Sequence, residues 1–419
     1  EENFMKDYSN IVSYLKLRGS VGKTGSQNLG AYDWRTLMGS ATYNGAAGIV
    51  PSSLGNDILQ WEEQIQKEVG LDYGFWDDRI RGTLGYYQKK VDNLLYSDPV
   101  PTSSSFSSVY QNIGSLKNRG IEFDVRVDII KNVQKDLTWN VDFNIARNRT
   151  TLEKLNSSDG YFGGGAYDYF KIEEGGETGR FYGYKDAGRL FMTNEELVGL
   201  KTIDPKTGTL KYYRDDYNYE RQGDVYIMDL DGDGQITADG DRTVIGNANP
   251  DFFGGFGSTL YWKGLMLNAV FSYSVGGDRF WDEEKNSSGD MNVYNTSNRI
   301  LDSWTVNPGV NASYPRAMYY GWGSNSIITD RYIHDASYLR MTALNLSYRL
   351  PKHLYKNSIL NAVEFTFQAT NLFTWTKYPG MDPQGNFSTT YSAFYNMGID
   401  YSTYPSARTY NFGIKLTLK

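Results

Sequence analysis

The sequence predicts an all-β protein that forms part of the wall of a transmembrane antiparallel β-barrel with long loops at one end. Apolar and polar residues alternate along about ten segments of roughly 9 to 13 residues, which is typical of strands with lipid on one side and water on the other. The connections between the segments are alternately short and long, as they are in outer-membrane barrels.

The composition favours the same fold. Aromatic residues make up 15% of the 419 residues, with 35 Tyr, and there are 44 Gly, yet the mean hydropathy is only −0.54. Alternating strands joined by long polar loops would combine these values. No apolar run approaches the roughly 18 residues of a membrane-spanning helix, so any crossing must use strands.

Composition also excludes several classes of function. Without cysteine there can be no disulfide, zinc–thiolate site or thiol nucleophile. A net charge of −7 with both signs dispersed disfavours nucleic-acid binding. The sequence opens at Glu1 with no initiator methionine or signal peptide, so we expect a fragment or a processed product.

The strands are predicted from the alternation, which is clearest near residue 125. There the odd positions from Ile121 to Ile129 are apolar and the even positions from Glu122 to Asp128 are charged. In chain order, the ten predicted strands are 13–21, 66–75, 79–90, 119–130, 137–148, 252–262, 265–275, 336–350, 361–373 and 408–419.

The connections set the orientation. Short turns are predicted near 77–78, 131–136, 263–264 and 351–360, and long loops at 22–65, 91–118, 149–251, 276–335 and 374–407. An even number of strands places both chain ends on the short-turn, periplasmic side and the long loops outside the cell.

One predicted strand changes phase. In 336–350, Leu339 and Met341 are at odd positions, whereas Leu344, Leu346 and Tyr348 are at even positions. A β-bulge or a crossing of the barrel rim near Thr342 and Ala343 would account for the change.

Several short stretches are weak signals individually, but their shared order along the chain is specific. They are 15–25 (LKLRGSVGKTG), 68–75 (EVGLDYGF), 86–90 (YYQKK), 118–122 (NRGIE), 181–184 (FYGY), 229–234 (DLDGDG), 245–247 (IGN), 335–340 (DASYLR), 371–378 (NLFTWTKY) and 408–410 (RTY). In these stretches the chain resembles the SusC/RagA family of TonB-dependent outer-membrane transporters, nearly from end to end.

The resemblance implies that residues 1–419 form the C-terminal part of an outer-membrane barrel of about 22 strands, covering about the last ten of them. The plug domain, the segment that contacts the TonB complex and the earlier strands would then lie in an N-terminal part outside this chain. It further implies TonB-dependent active import of glycans or oligopeptides, a SusD-like surface lipoprotein as a lid, and homodimeric pairs of transporter–lid units. Enzymatic activity is not expected.

The sharpest local motif lies at 229–241, within the long loop 149–251. Asp229, Asp231 and Asp233 alternate and Gly234 follows, as in a calcium loop of the EF-hand kind. The predicted ligands of a structural Ca²⁺ are Asp229, Asp231, Asp233, the carbonyl of Gln235, and Asp241. The closing acid is displaced by one residue from the usual position 12, and an acidic loop without an ion is the alternative.

Loop aromatics are the candidates for cargo contact, because flat rings stack on sugar faces and pack against peptide side chains. They are Trp34, Tyr161, Phe162, Tyr167, Tyr169, Tyr319, Tyr320 and Trp322. They could equally serve as rim residues or as packing inside the loops.

Two other functions are compatible with the sequence. A passive porin-like channel would share the barrel but lack a plug. A calcium-dependent surface adhesin or glycan-binding β-protein would be soluble without detergent. An outer-membrane hydrolase is disfavoured, because His334 and His353 are far apart and no catalytic constellation is visible.

Overall fold

The structure is a computed structural model. It describes Tyr8, 10–26, 29–132, 134–155, 161–163, 169–193, 202–203, 210–211, 222–234, 236–288, 296–317, 325, 327–356, 359–385, 397–401 and 403–418. The chain divides into two compact units, one of Glu1–Tyr161 with Ile172–Thr178 and one of Phe162–Lys171 with Gly179–Lys419.

Five long strands, each antiparallel to the next in the sequence, form the sheet of the first unit. They are β1 (Val12–Ser26), β2 (Glu62–Phe75), β3 (Ile80–Asp92), β4 (Gly114–Asn132) and β5 (Leu137–Leu155). They coincide with the first five predicted strands, and each continues further toward its long loop; β5, for example, extends through Leu155.

The second unit contains five more long antiparallel strands in chain order. They are β6 (Phe252–Trp262), β7 (Leu265–Val275), β8 (Tyr338–Arg349), β9 (Leu360–Thr376) and β10 (Thr409–Leu418). The prediction of an antiparallel transmembrane wall with ten strands in these places is confirmed.

The short turns have the backbone conformation that their length demands. Lys263 and Gly264 connect β6 to β7, with φ of 48° and 84°. Positive φ at both central residues defines the type I′ hairpin, whose twist matches that of the strands it joins. Trp76, Asp77 and Asp78 also have positive φ at the turn between β2 and β3.

The long connections carry shorter elements. The short strands are Met38–Tyr43, Ala46–Pro51, Leu95–Pro99, Ser108–Asn112, Tyr161–Gly163, Phe170–Ile172, Arg180–Tyr184, Asp186–Leu190, Thr202–Ile203, Leu210–Lys211, Val225–Ile227, Arg242–Asn247, Asp278–Trp281, Ile333–Asp335 and Ile399–Asp400. The α-helices are Ala238–Asp241 and Asp282–Ser288, and the 3₁₀ helices are Thr102–Ser104, Asn298–Asp302 and Asp330–Tyr332. A further 3₁₀ helix, Lys352–Tyr355, lies in the short connection between β8 and β9. None of the helices in the described residues is both long and apolar enough to cross a bilayer.

The apolar faces of the long strands are exposed. Leu17 in β1 is 76% exposed and Phe412 in β10 is 81% exposed. Among the described residues of the second unit, two hydrophobic clusters lie in its loops instead, one around Phe181 and Phe280 and one around Phe191 and Ile227. Apolar side chains along the long strands are therefore available to membrane hydrocarbon, as the alternation predicts.

Of the two explanations for the change of phase, a bulge is the one present in β8. The register shifts between Met341 and Ala343 against β9, and at the same place against β7. Met341 pairs with Phe271, and Leu344 with Ala269. Both runs of apolar residues in β8 thus share the outward face of the sheet, which explains the change of phase in the sequence.

Candidate functional site

The inner face of the first unit is charged and internally paired. The Arg18 guanidinium lies 2.9 Å from an Asp72 carboxylate oxygen and 3.3 Å from one of Glu68. Further along the sheet, Arg81 lies 3.4 Å from Asp128. These residues alternate with the apolar outward positions, so they line the side of the wall that suits a water-filled lumen.

In the second unit, a buried arginine joins a wall strand to the loop that follows β9. Arg340 of β8 donates to Asp382 at 2.5 Å, to Gln384 at 2.6 Å and to Thr374 at 3.0 Å. Burial raises the pKa of Asp382, but hydrogen bonds from Arg340 and from the N–H groups of Gln384 and Ser406 outweigh it, so the pKa lies below its ordinary value. The pair holds the loop against the strand.

A second ion pair closes the loop core around Phe191. Both carboxylate oxygens of Asp224 accept from Arg316, each at 2.9 Å, and Asn325 donates a further bond at 2.8 Å. The side-chain oxygen of Asn325 in turn accepts from the N–H of Val225. Because Asp224 and Asn325 are both buried, this bidentate arrangement fixes the geometry of the surrounding loops.

A third polar group surrounds the short helix Asp282–Ser288. Glu284 lies 2.6 Å from both Arg299 and His334 and also accepts from the Tyr314 hydroxyl. Asp282 accepts from Tyr169 and pairs with Lys285 at 3.1 Å. The sequence offered no local signal for these pairs, since the partners come from distant loops.

Tyr378 and Arg279 show the effect of burial in the same unit. The Tyr378 hydroxyl donates to Asp400 at 2.8 Å, and burial together with that carboxylate strongly raises the tyrosine pKa. Burial lowers the pKa of Arg279. The Tyr378–Asp400 hydrogen bond supports a fixed loop body, because it satisfies two buried polar groups.

The Asp-rich loop brings three of its predicted ligands together. One carboxylate oxygen each from Asp229, Asp231 and Asp233 lie within 4.8 Å of one another. Gly232 and Gly234, with φ of 77° and 83°, allow the tight turns between them. The pKa of Asp231 is raised. The hydrogen bond from the N–H of Asp233 lowers this pKa, but desolvation and repulsion from Asp233, Asp241 and Asp229 raise it and outweigh that bond. The arrangement can offer hard oxygen ligands to one cation.

The other predicted ligands are placed differently. Asp241 is 0% exposed, and its two oxygens accept from the N–H groups of Leu230 and Thr237, each at 2.7 Å. It therefore closes the loop through the backbone and is not one of the three converging carboxylates. Gln235 lies outside the described residues.

The aromatic candidates for cargo contact fall into two groups. Trp34 is 40% exposed, with the Arg35 guanidinium 4.4 Å from its ring, so it is accessible. Tyr169 is only 4% exposed and packs in the core with Phe280, so it has the alternative role of packing inside the loops. Tyr167, Tyr319, Tyr320 and Trp322, and the side chains of Tyr161 and Phe162, lie outside the described part of the chain.

Strands with an apolar outward face, a charged inner face and long loops at one end define a wall segment of an outer-membrane β-barrel. The chain belongs to the family described as TonB dependent receptor-like, beta-barrel, whose family model matches residues 8–372. Its localisation is therefore the bacterial outer membrane.

Known relatives confirm the SusC/RagA resemblance. TonB-dependent receptor P3 of Formosa agariphila is 32% identical over 438 residues, covering 99% of this chain and 40% of the relative. TonB-dependent receptor SusC of Bacteroides thetaiotaomicron is 30% identical over 432 residues, covering 99% of this chain and 38% of SusC.

Among solved structures, the RagAB peptide transporter matches with 27% identity and a TM-score of 0.73 over 99% of this chain and 42% of the matched chain. The chain thus spans about two fifths of the length of the proteins that it matches.

Proposed function

We propose that this chain supplies wall strands and extracellular loops to a TonB-dependent importer that carries glycans or oligopeptides across the outer membrane. The observation that carries the proposal is the two-faced wall, in which exposed apolar residues such as Leu17 alternate with charged inner residues such as Arg18. A wall of this kind encloses an aqueous path through the membrane.

The proposal extends to energy and partners. SusC is named as a TonB-dependent receptor, and RagAB as a peptide transporter. By analogy, TonB would drive release of cargo inward, and a SusD-like lipoprotein would cover the extracellular loops, with homodimeric pairs of such units as the assembly. The fixed loop body around Asp224 and Arg316 suits a surface on which a lid closes.

Uptake by intact cells tests the proposal. The gene that encodes the whole protein is deleted, and entry of fluorescent oligosaccharides and of fluorescent oligopeptides is followed in the deletion strain, the complemented strain and a strain without TonB. We expect uptake of one cargo class to need both the gene and TonB. Uptake that persists without TonB would identify a passive channel instead, and recovery of the protein in the soluble fraction would favour the adhesin.

The Asp-rich loop is proposed to hold one structural Ca²⁺. Support comes from the spacing of Asp229, Asp231 and Asp233 and from the convergence of their oxygens. When bound, the cation would supply positive charge that offsets the mutual repulsion of these carboxylates. No catalytic step is assigned to it.

A further inference from the structure

The outward face of the first unit changes from apolar to basic toward its long loops. One row of paired residues across the five strands is wholly apolar: Leu17, Leu71, Leu84, Phe123 and Ile145. Four residues further along β1, on the same face, the paired row is Val21, Lys67, Gln88, Arg119 and Arg149. Since side chains on one face recur every second residue, this basic row lies directly beyond the apolar one.

Positive charges in this region face one another. Arg119 of β4 is paired directly with Arg149 of β5, and Arg147 lies two residues from Arg149 on the same face. Like charges directly opposite each other in an antiparallel pair are destabilising. Glu177, 3.6 Å from Arg149, offsets part of this repulsion, and an anion beside Arg119 and Arg147 would reduce it further.

Neighbouring cations have carboxylates of their own. Lys23 lies 2.8 Å from Glu63, and Lys117 lies 3.0 Å from Glu153. Arg149 is 3.6 Å from Glu177.

Within the described residues, no carboxylate lies within ion-pair distance of Lys67, Arg119 or Arg147, and all three are exposed. We call these three residues the basic patch.

A shallow groove of about 400 Å³ begins beside the basic patch. It is lined by Gly19, Val21, Lys67, Val69 and Tyr86, among others. Gly19 leaves room on this face, because a Cβ there would meet only the carbonyl oxygen of Glu68, 4.0 Å away. The groove therefore joins an apolar floor to a cationic rim.

We propose that the basic patch binds the phosphorylated headgroup of an outer-leaflet lipid, with part of one acyl chain in the groove. The patch is on the lipid side of the wall and at the long-loop end, where the outer-leaflet headgroups lie. Arginine binds phosphate through two parallel N–H···O bonds, and lysine adds a compact charge. This assignment is independent of cargo, TonB and calcium, and it goes beyond import.

The test uses the full-length protein in detergent and measures binding of bisphosphorylated lipid A by native mass spectrometry. The triple variant K67Q/R119Q/R147Q should bind it roughly a hundredfold more weakly, at the usual strength of cation–headgroup attraction. The matched control K16Q/K89Q/R126Q removes three cations from the opposite face of the same sheet and should bind as the parent does.

Further arms identify the ligand. Dephosphorylated lipid A should bind weakly to the parent protein, and inorganic phosphate should not displace the intact lipid. The charge-preserving variant R119K/R147K should keep most of the binding, which separates loss of charge from loss of fold. Equal binding by K67Q/R119Q/R147Q and the parent, equal binding of dephosphorylated lipid, or displacement by inorganic phosphate would each overturn the proposal.

Discussion

Arg316 and Asp224 lie 92 positions apart in the sequence, yet they form a two-pronged ion pair with both N···O distances at 2.9 Å. Asp224 is 1% exposed and adjoins Val225 and Ile227, two buried residues of the loop core. The pair therefore ties the segment around residue 316 to a packed part of the loops.

Substitution of Arg316 by alanine should loosen this loop core. A buried carboxylate that loses its guanidinium costs about 3–5 kcal/mol of local stability. Hydrogen exchange measured by mass spectrometry should accelerate in Asp186–Leu190 and Val225–Ile227. The exposed Lys352→Ala change is the control and should leave these rates unaltered. Unchanged exchange in R316A would show that the pair contributes nothing to the loop core.

Acid should release the loop held by Arg340. Because the folded-state pKa of Asp382 lies below its ordinary value, the stabilisation is fully present above the unfolded-state pKa of about 3.9. It is lost as the pH falls toward and through the folded-state pKa. Hydrogen exchange in 377–385, corrected for the intrinsic effect of pH, should therefore accelerate in that window.

At neutral pH, Asp382→Asn should give the fast hydrogen exchange in 377–385 that the parent shows only in acid. Lowering the pH should then not accelerate this exchange further. Asp57→Asn, at an exposed position of the first unit, should retain the normal response. A D382N protein with the same pH profile as the parent would place the titrating group elsewhere.

Calcium should protect the Asp-rich loop from exchange in the full-length protein, and a chelator should reverse the effect. Asp231→Asn should abolish the response to calcium, whereas Asp239→Asn, an exposed acid of the same loop outside the converging group, should retain it. Asp241→Asn should loosen the loop with or without calcium, because Asp241 accepts two backbone N–H bonds. Exchange in this loop that does not change with added calcium would favour the alternative, an acidic loop without an ion.

Two neighbours in β4 should respond oppositely to the same substitution. Phe123→Arg places a guanidinium on the apolar outward face and should cost about 2–4 kcal/mol where that face meets the middle of the bilayer. Glu122→Arg changes the inner face and should be tolerated. Heat-modifiable migration on gels and recovery in the outer-membrane fraction would measure assembly. Similar yields for both variants would contradict the assignment of faces.

The wall could be predicted from the sequence because each strand is defined by an alternation of neighbouring residues. Period-two alternation located all ten long strands, and the change of phase near Thr342 marked the position of the bulge without distinguishing it from a rim crossing. The loop body could not be predicted, since its stabilising pairs, such as Asp224 with Arg316 and Glu284 with His334, join distant segments. The Asp-rich motif was visible because its ligands are close in sequence, but the backbone-bonding role of Asp241 was not.

The bulge in β8 has a consequence for tolerance to deletion. Thr342 is the extra residue between Met341 and Ala343, so its loss would leave a regular alternation with Leu339 and Arg340 on their present sides of the wall. Loss of a paired residue such as Asn345 would instead exchange the two sides for everything before it in the strand, placing a guanidinium against lipid and a leucine against water. The strand can therefore lose one codon at the bulge but not at its paired positions.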